Sequence, residues 1–368
     1  MRCAAPGRLG GAAEDGGSVA TGWRGLAWFW AAVLVLAGGG AAVLQGLGPL
    51  PLPPVQTAAA PPASPLPPAV PPPAAAPPVA AVAPPPPHPP GTVAPPDPAL
   101  LEPSTTFPGG LLPRAVPDGA SPARAYAAPF DAADPHPRVA ILLGGIGMDE
   151  GGSEEAIHTL PGAVSLAVSP YAYRPERLLD AARAAGHEIW LALPLEPARY
   201  PIDDAGNHAL LTGSIPALNH QRLEWALTRF TGYVGATGAL GGLRGERFAA
   251  AHELMEMLLR ELAGRGLLYI DPRPGAPRPP LVAGRGVDVV IDEPPVRSEI
   301  DASLARLEQI AHDRGTALGL AGAPRPVTLD RLGAWATALA AHGLVLAPAS
   351  ALAEPPPQHA AAEETHRP

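Results

Sequence analysis

The stretch RVAILLGGIGMDE, Arg138 to Glu150, decides how the rest of the chain reads. Val139 to Leu143 form an uninterrupted apolar run of strand length, and Gly144 and Gly145 break it sharply. A run that is apolar at every position belongs to a strand buried on both faces, as in parallel sheets covered by helices. The double glycine predicts that this strand ends in a turn. Further short apolar runs follow at Val164 to Val168, Ile189 to Leu193, Tyr233 to Ala236, Leu267 to Ile270, Val287 to Ile291, Ala317 to Leu320 and Leu344 to Ala347. Helix-like segments separate them, which predicts an α/β fold wound from the first strand. Side chains just beyond the carboxyl ends of such strands do the chemistry, and the first strand offers two glycines there.

Among the helical segments, Arg174 to Ala185 carries a proline in its first turn and stops at Gly186. His220 to Phe230 places Leu223, Leu227 and Phe230 on one face, with Asn219 as its expected cap. Phe248 to Leu262, Ile300 to His312 and Leu329 to Ala341 repeat the pattern, and Asp149 is expected to cap a helix containing Ser153.

Composition narrows what this fold does. The 53 prolines and 41 glycines among 368 residues leave sequence for one folded domain rather than two. A net charge of -9 with 25 Lys and Arg residues offers no basic cluster for phosphates, so a nucleic-acid partner is not expected. Cys3 is the single cysteine, which excludes an intramolecular disulfide and a cysteine-built metal site.

Residues 1 to 22 read as a short tail. Residues 23 to 50 carry no charge after Arg24, suffice to cross roughly 30 Å of hydrocarbon, and open with Trp23, Trp28 and Trp30. They are expected to form one transmembrane helix. Arg2, Arg8 and Arg24 precede it and no charge follows until Asp97, which predicts a cytoplasmic amino terminus and a folded domain across a bacterial inner membrane, in the periplasm. A cleaved signal peptide is the rival reading. Residues 51 to 137 read as a disordered Pro/Ala linker in polyproline II, 138 to 354 as the globular domain, and 355 to 368 as a disordered tail.

Within the globular segment, VSLAVSPYA (Val164 to Ala172), AAGHEIWLALPLEP (Ala184 to Pro197), HALLTG (His208 to Gly213) and RFTGYVG (Arg229 to Gly235) appear in that order. RGLLYID (Arg265 to Asp271), the spaced Asp288 and Asp292, and PRPVTL (Pro324 to Leu329) follow. In this order the motifs resemble the divergent polysaccharide deacetylase family, relatives of the NodB-type deacetylases. The resemblance implies a distorted (β/α) barrel and a role in carbohydrate metabolism of the cell envelope, on a polysaccharide or peptidoglycan-like glycan.

It also implies a metal-binding Asp/His/His set, from an Asp-Asp pair ending the first strand, an Asn-Asn-His triplet and a Gly-His-Pro turn. Such a set suits a divalent metal whose bound water attacks an amide or ester carbonyl. Here the corresponding positions hold Gly144 and Gly145, then Thr237, Gly238 and Ala239, and finally Ala323. With Gly145, Ala239 and Ala323 at the ligand positions, no metal and no other cofactor is expected.

The carboxylates left at strand ends are Glu196, Asp271, Asp292 and Glu293, with Arg273 nearby. Glu196 and Asp271 are the candidate acid and base of a hydrolase; the bland alternative is that they hold loops through backbone N–H groups or Arg273. Tyr171, Tyr173, Trp190, Tyr200, Asn207, Arg273 and Asp292 are the candidates for a sugar-binding groove. His187, His208 and His220 read as structural or solvated. The expected function is therefore a degenerate glycan-binding or scaffold module, and the alternative is a working hydrolase built on substituted ligands or on the two carboxylates.

Overall fold

The computed structural model describes residues 28–35, 91–117 and 119–357, and the chain divides into two units, Met1–Val82 and Ala83–Pro368. In the first unit, residues 28–35 are helical, with Trp28, Phe29, Trp30, Leu34 and Val35 exposed. Among the described residues no helix is long and apolar enough to cross a membrane. Most of the expected membrane segment, 23 to 50, and the linker from 51 to 90 lie outside the described residues.

The second unit opens with an antiparallel hairpin, β1 (Leu101–Pro103) and β2 (Leu111–Pro113), and a single helical turn, α1 (Pro122–Ala125). The main sheet then contains β3 (Arg138–Ile146), β4 (Ser165–Val168), β5 (Ile189–Ala192), β6 (Gly235–Thr237) and β7 (Leu268–Asp271). It is completed by β8 (Gly284–Gly286), β9 (Val289–Val290), β10 (Thr316–Ala321) and β11 (Val345–Leu346). Its order is β8-β7-β6-β5-β4-β3-β10-β9, with β11 beside β3, and the pairings are parallel. Among the described residues no ladder joins β8 to β9, so the sheet curls into a distorted barrel without closing. The helices are α2 (Glu150–Thr159), α3 (Glu176–Ala184), α4 (Pro216–Leu227), α5 (Glu246–Ala250), α6 (His252–Gly264), α7 (Arg297–Arg314) and α8 (Pro326–Ala338).

Both faces of the sheet are buried, which is why its strands read as continuous apolar runs. Val139, Ile141 and Leu143 of β3 join the layer under the helices, while Ala140 and Leu142 point to the inner layer. β5 divides likewise, with Ile189 and Leu191 outward and Trp190 and Ala192 inward. The inner layer sets one large indole among alanines (Ala140, Ala167, Ala192, Ala347, Ala349), as a tightly curved sheet requires.

The expected boundary at Arg138 is corrected by residues 91–130, which do not behave as spacer. Val93, Leu100, Tyr126 and Ala128 are buried in the inner layer. Backbone bonds tie the segment to the amino ends of the strands, Val93 N–H to Arg183 O at 3.0 Å and Ala123 N–H to Gly266 O at 3.2 Å. An open curled sheet exposes an apolar end, and this proline-rich segment covers it with a few large side chains and little regular structure. Glu188, fully buried before β5, fastens the cover: it accepts five hydrogen bonds, from Ser165 Oγ, Trp190 Nε1, Ala128 N and both the N and Oγ of Ser350.

Two local expectations also change. Asn219 caps nothing; it lies inside α4, where its amide exchanges hydrogen bonds with Leu211 N (3.1 Å) and Leu211 O (2.9 Å). The helix expected over Phe248 to Leu262 breaks at Ala251, whose N–H closes α5 on Phe248 O while its carbonyl opens α6 to Met255 N. Asp149 does cap α2, accepting from Gly152 N at 2.7 Å.

Candidate functional site

The first strand does not end at its glycines. β3 continues to Ile146, and between Leu143 and Ile146 it takes one residue more than β4 takes between Leu166 and Val168. Gly144 and Gly145 are thus a β-bulge at the carboxyl end of the sheet, with Gly145 at φ 71°. A Cβ on Gly144 would lie 3.1 Å from Gly322 O and 3.6 Å from Gly241 O. On Gly145 it would lie 3.1 Å from Gly322 O and 3.2 Å from Ala323 Cα. The bulge of β3 and the loops after β6 and β10 therefore meet backbone to backbone over the centre of the sheet, and glycine permits the approach.

The three positions that the resemblance assigns to metal ligands fall in this contact. Gly145 has no side chain and only a tight space for a Cβ, Ala239 is fully buried, and Ala323 packs against the bulge. Gly145, Ala239 and Ala323 offer no side-chain donor, so they do not fit an Asp/His/His metal set.

Around the sealed centre, each strand-end carboxylate is held by an arginine. Both oxygens of Asp271 accept from Arg273, Nε to Oδ1 at 2.9 Å and the second guanidinium nitrogen to Oδ2 at 2.6 Å. This bond raises the Arg273 pKa above its ordinary value, burial opposing it in part. Glu196 pairs with Arg247 at 3.0 Å and accepts from Thr212 N. Asp292, fully buried, accepts from Gly322 N at 2.7 Å and Arg325 at 3.0 Å, and so fixes the loop that seals the centre. One guanidinium nitrogen of Arg244 donates to both oxygens of Glu293, at 2.8 and 2.7 Å. The arginines Arg244 and Arg247 follow the glycines of the β6 loop in the run GGLRGER, Gly241 to Arg247, a charge pattern that sequence reading passed over.

The candidate sugar contacts divide by exposure. Trp190 is fully buried in the inner layer and donates to Glu188 at 2.9 Å, so it offers no face to a ligand; the same burial removes Asp292. Tyr171 is half-buried, and its hydroxyl accepts from His208 N at 3.1 Å. His208 stacks on Trp225 with centroids 3.8 Å apart, and burial, then Arg222 and Arg229, lower its pKa below the ordinary value. Asn207 and Tyr173 are exposed, Tyr200 and Arg273 half-buried. Tyr173 stands apart, on the loop after β4 beside Arg174.

Residues 141–353 match the family model of divergent polysaccharide deacetylases. No curated protein gave a match. Among solved structures, an uncharacterized protein from Agrobacterium tumefaciens C58 is 33% identical with a TM-score of 0.60, covering 66% of this chain and 99% of that one. A family 4 carbohydrate esterase from Streptomyces lividans, in complex with acetate, is 15% identical with a TM-score of 0.38, covering 61% of this chain and 100% of that one. The catalytic domain of a peptidoglycan N-acetylglucosamine deacetylase from Eubacterium rectale ATCC 33656 is 12% identical with a TM-score of 0.36, covering 60% and 92%. The latter two likenesses are too remote to carry an argument about chemistry.

Proposed function

The chain belongs to the divergent polysaccharide deacetylase family, and from that premise we propose that it recognises a glycan of the cell envelope without metal-dependent deacetylation. The observation that carries the proposal is the contact of Gly144 and Gly145 with the Gly322 loop, where the expected ligand position has no donor side chain and a Cβ on Gly145 would already lie 3.1 Å from Gly322 O. A hydrolase that uses Glu196 and Asp271 is the second reading, favoured by their burial at strand ends on either side of β6. It asks for carboxylates free to exchange a proton with substrate, whereas Asp271 has both oxygens on Arg273 and Glu196 is held by Arg247 and Thr212.

The test is metal content and turnover of the full-length chain. After zinc loading and gel filtration it should hold far less than one equivalent of zinc, and chelator should leave its Tm unchanged. Stoichiometric zinc, or chelator-sensitive release of acetate from the N-acetylglucosamine tetramer, would overturn the reading.

The proposal includes a single membrane crossing by residues 23–50, with the folded domain in the periplasm, because Arg2, Arg8 and Arg24 stand before or at its start and no charge follows until Asp97. A phosphatase reporter fused after Ala58 should be active only on the periplasmic side. A soluble product starting between about Gly46 and Pro61 would point to a cleaved signal instead.

A further inference from the structure

The geometry points to a seat for this glycan, and we propose that it is the groove between α2 and α3, at the rim of the carboxyl-end face. The proposal rests on the glycan-recognising reading above and gives it a location. The groove encloses about 590 Å³, a volume within the range of small-ligand sites.

Its floor is made by the loops after β3 and β4. A Cβ on Gly147, at φ 82°, would lie 2.5 Å from the Cβ of Ala172, so only glycine lets these loops touch. Ile157 of α2 and Leu178 and Ala181 of α3 continue the apolar lining. At the entrance stand Met148, 61% exposed, and Tyr173, 82% exposed. Together with the apolar floor they give the groove a continuous apolar side open to water.

The next residue, Arg174, has φ 47° and is the one non-glycine among the described residues with positive φ. Its guanidinium carbon lies 5.3 Å from the Tyr173 ring centroid. Left-handed backbone at a residue with a long side chain is strained, and such strain concentrates at functional sites. Here it holds an aromatic ring and a cation side by side at the entrance.

Charge decides the class of ligand. Glu150 and Glu154 line the α2 side, Arg174 and Arg177 the α3 side, and none of the four forms an ion pair among the described residues. Two charges of each sign over an apolar floor do not favour a polyanion or a polycation. They suit a neutral chain with apolar faces and many hydroxyl groups: carboxylates accept from its O–H, guanidiniums donate to its hydroxyl and ring oxygens. The ligand class is an uncharged oligosaccharide.

The test is isothermal titration of the full-length chain, in detergent, with the N-acetylglucosamine tetramer. The wild type should bind, and Tyr173→Ala and Ala181→Phe should each weaken binding at least about ten-fold while the exposed-site variant keeps the wild-type Tm. Ile202→Ser, which removes an apolar side chain 82% exposed on another loop, should bind like the wild type. Unchanged affinity in both groove variants would overturn the groove and leave the glycan reading standing. Tighter binding of the fully deacetylated, cationic tetramer would overturn the neutral-ligand assignment. Failure of the wild type to bind either the tetramer or peptidoglycan sacculi would overturn the glycan reading and the groove together.

Discussion

His187 is buried between the end of α3 and β5, with Nδ1 2.8 Å from Val164 O and Nε2 3.3 Å from Ile157 O. A neutral ring has one N–H and serves one of these carbonyls; a charged ring would serve both. Burial nevertheless outweighs the two carbonyls and pulls the pKa below the ordinary histidine value. A base depressed in the folded state binds fewer protons there than when unfolded, so its contribution is complete above the unfolded pKa of about 6.5 and is lost as pH falls from there through the folded pKa. The wild-type Tm should therefore drop more between about pH 7.5 and about pH 5.5 than that of His187→Gln. Parallel pH profiles for the two proteins would contradict this. The structural role of His187 was legible in the sequence, since it stands where a helix gives way to a strand. The importance of its neighbour Glu188 was not: its donors are supplied by segments up to 162 residues away, and nothing local marks a carboxylate that tertiary contacts will surround. Trp190 misled for the same reason, because composition alone does not say whether an aromatic ring faces a groove or an interior.

At the level of elements, the apolar runs located the long strands well because burial on both faces leaves an unbroken signal, as in β3, β4, β5 and β10. β8, Gly284–Gly286, has no such signal, since its backbone lies so close to Tyr269 that a Cβ on Gly284 would meet that carbonyl oxygen at 1.8 Å. The bulge in β3 was read as a strand end because a double glycine looks the same in either case; only the register against β4 separates them. Gly145→Ala measures what the bulge requires. The new Cβ meets Gly322 O at 3.1 Å at φ 71°, so a loss of about 2 kcal/mol is expected from the left-handed backbone and the contact together. Gly151→Ala, in α2 with open space around it, should be neutral or stabilising by up to about 1 kcal/mol. Urea denaturation of the two variants checks the contrast, and equal midpoints would mean that the three loops are free to move apart.

For the molecule as a whole, the question is where the folded unit begins. Proline content made residues 51 to 137 look uniform, yet the part from 91 onward supplies Val93, Leu100, Tyr126 and Ala128 to the inner layer, and Leu112 to the outer one. Prolines do not prevent this, because covering the end of a curled sheet needs a few anchored side chains rather than a ladder of backbone bonds. A chain starting at Arg138 would leave that end in water and remove the Ala128 N–H from Glu188. The burial lost is partly offset by the conformational freedom regained by the missing segment. Glu188 keeps its other four donors, so the loss of the Ala128 bond adds only about 1 kcal/mol to the burial lost. Since domains hold only about 5 to 15 kcal/mol of net stability, the shortened chain should melt on the order of 10 °C below one starting at Thr92. Limited proteolysis of the intact protein should agree, leaving a resistant fragment that starts near residue 91 and not near 138. Equal melting of the two shortened chains, or early cleavage between Val93 and Ala128, would show that the segment rests on the barrel without holding it.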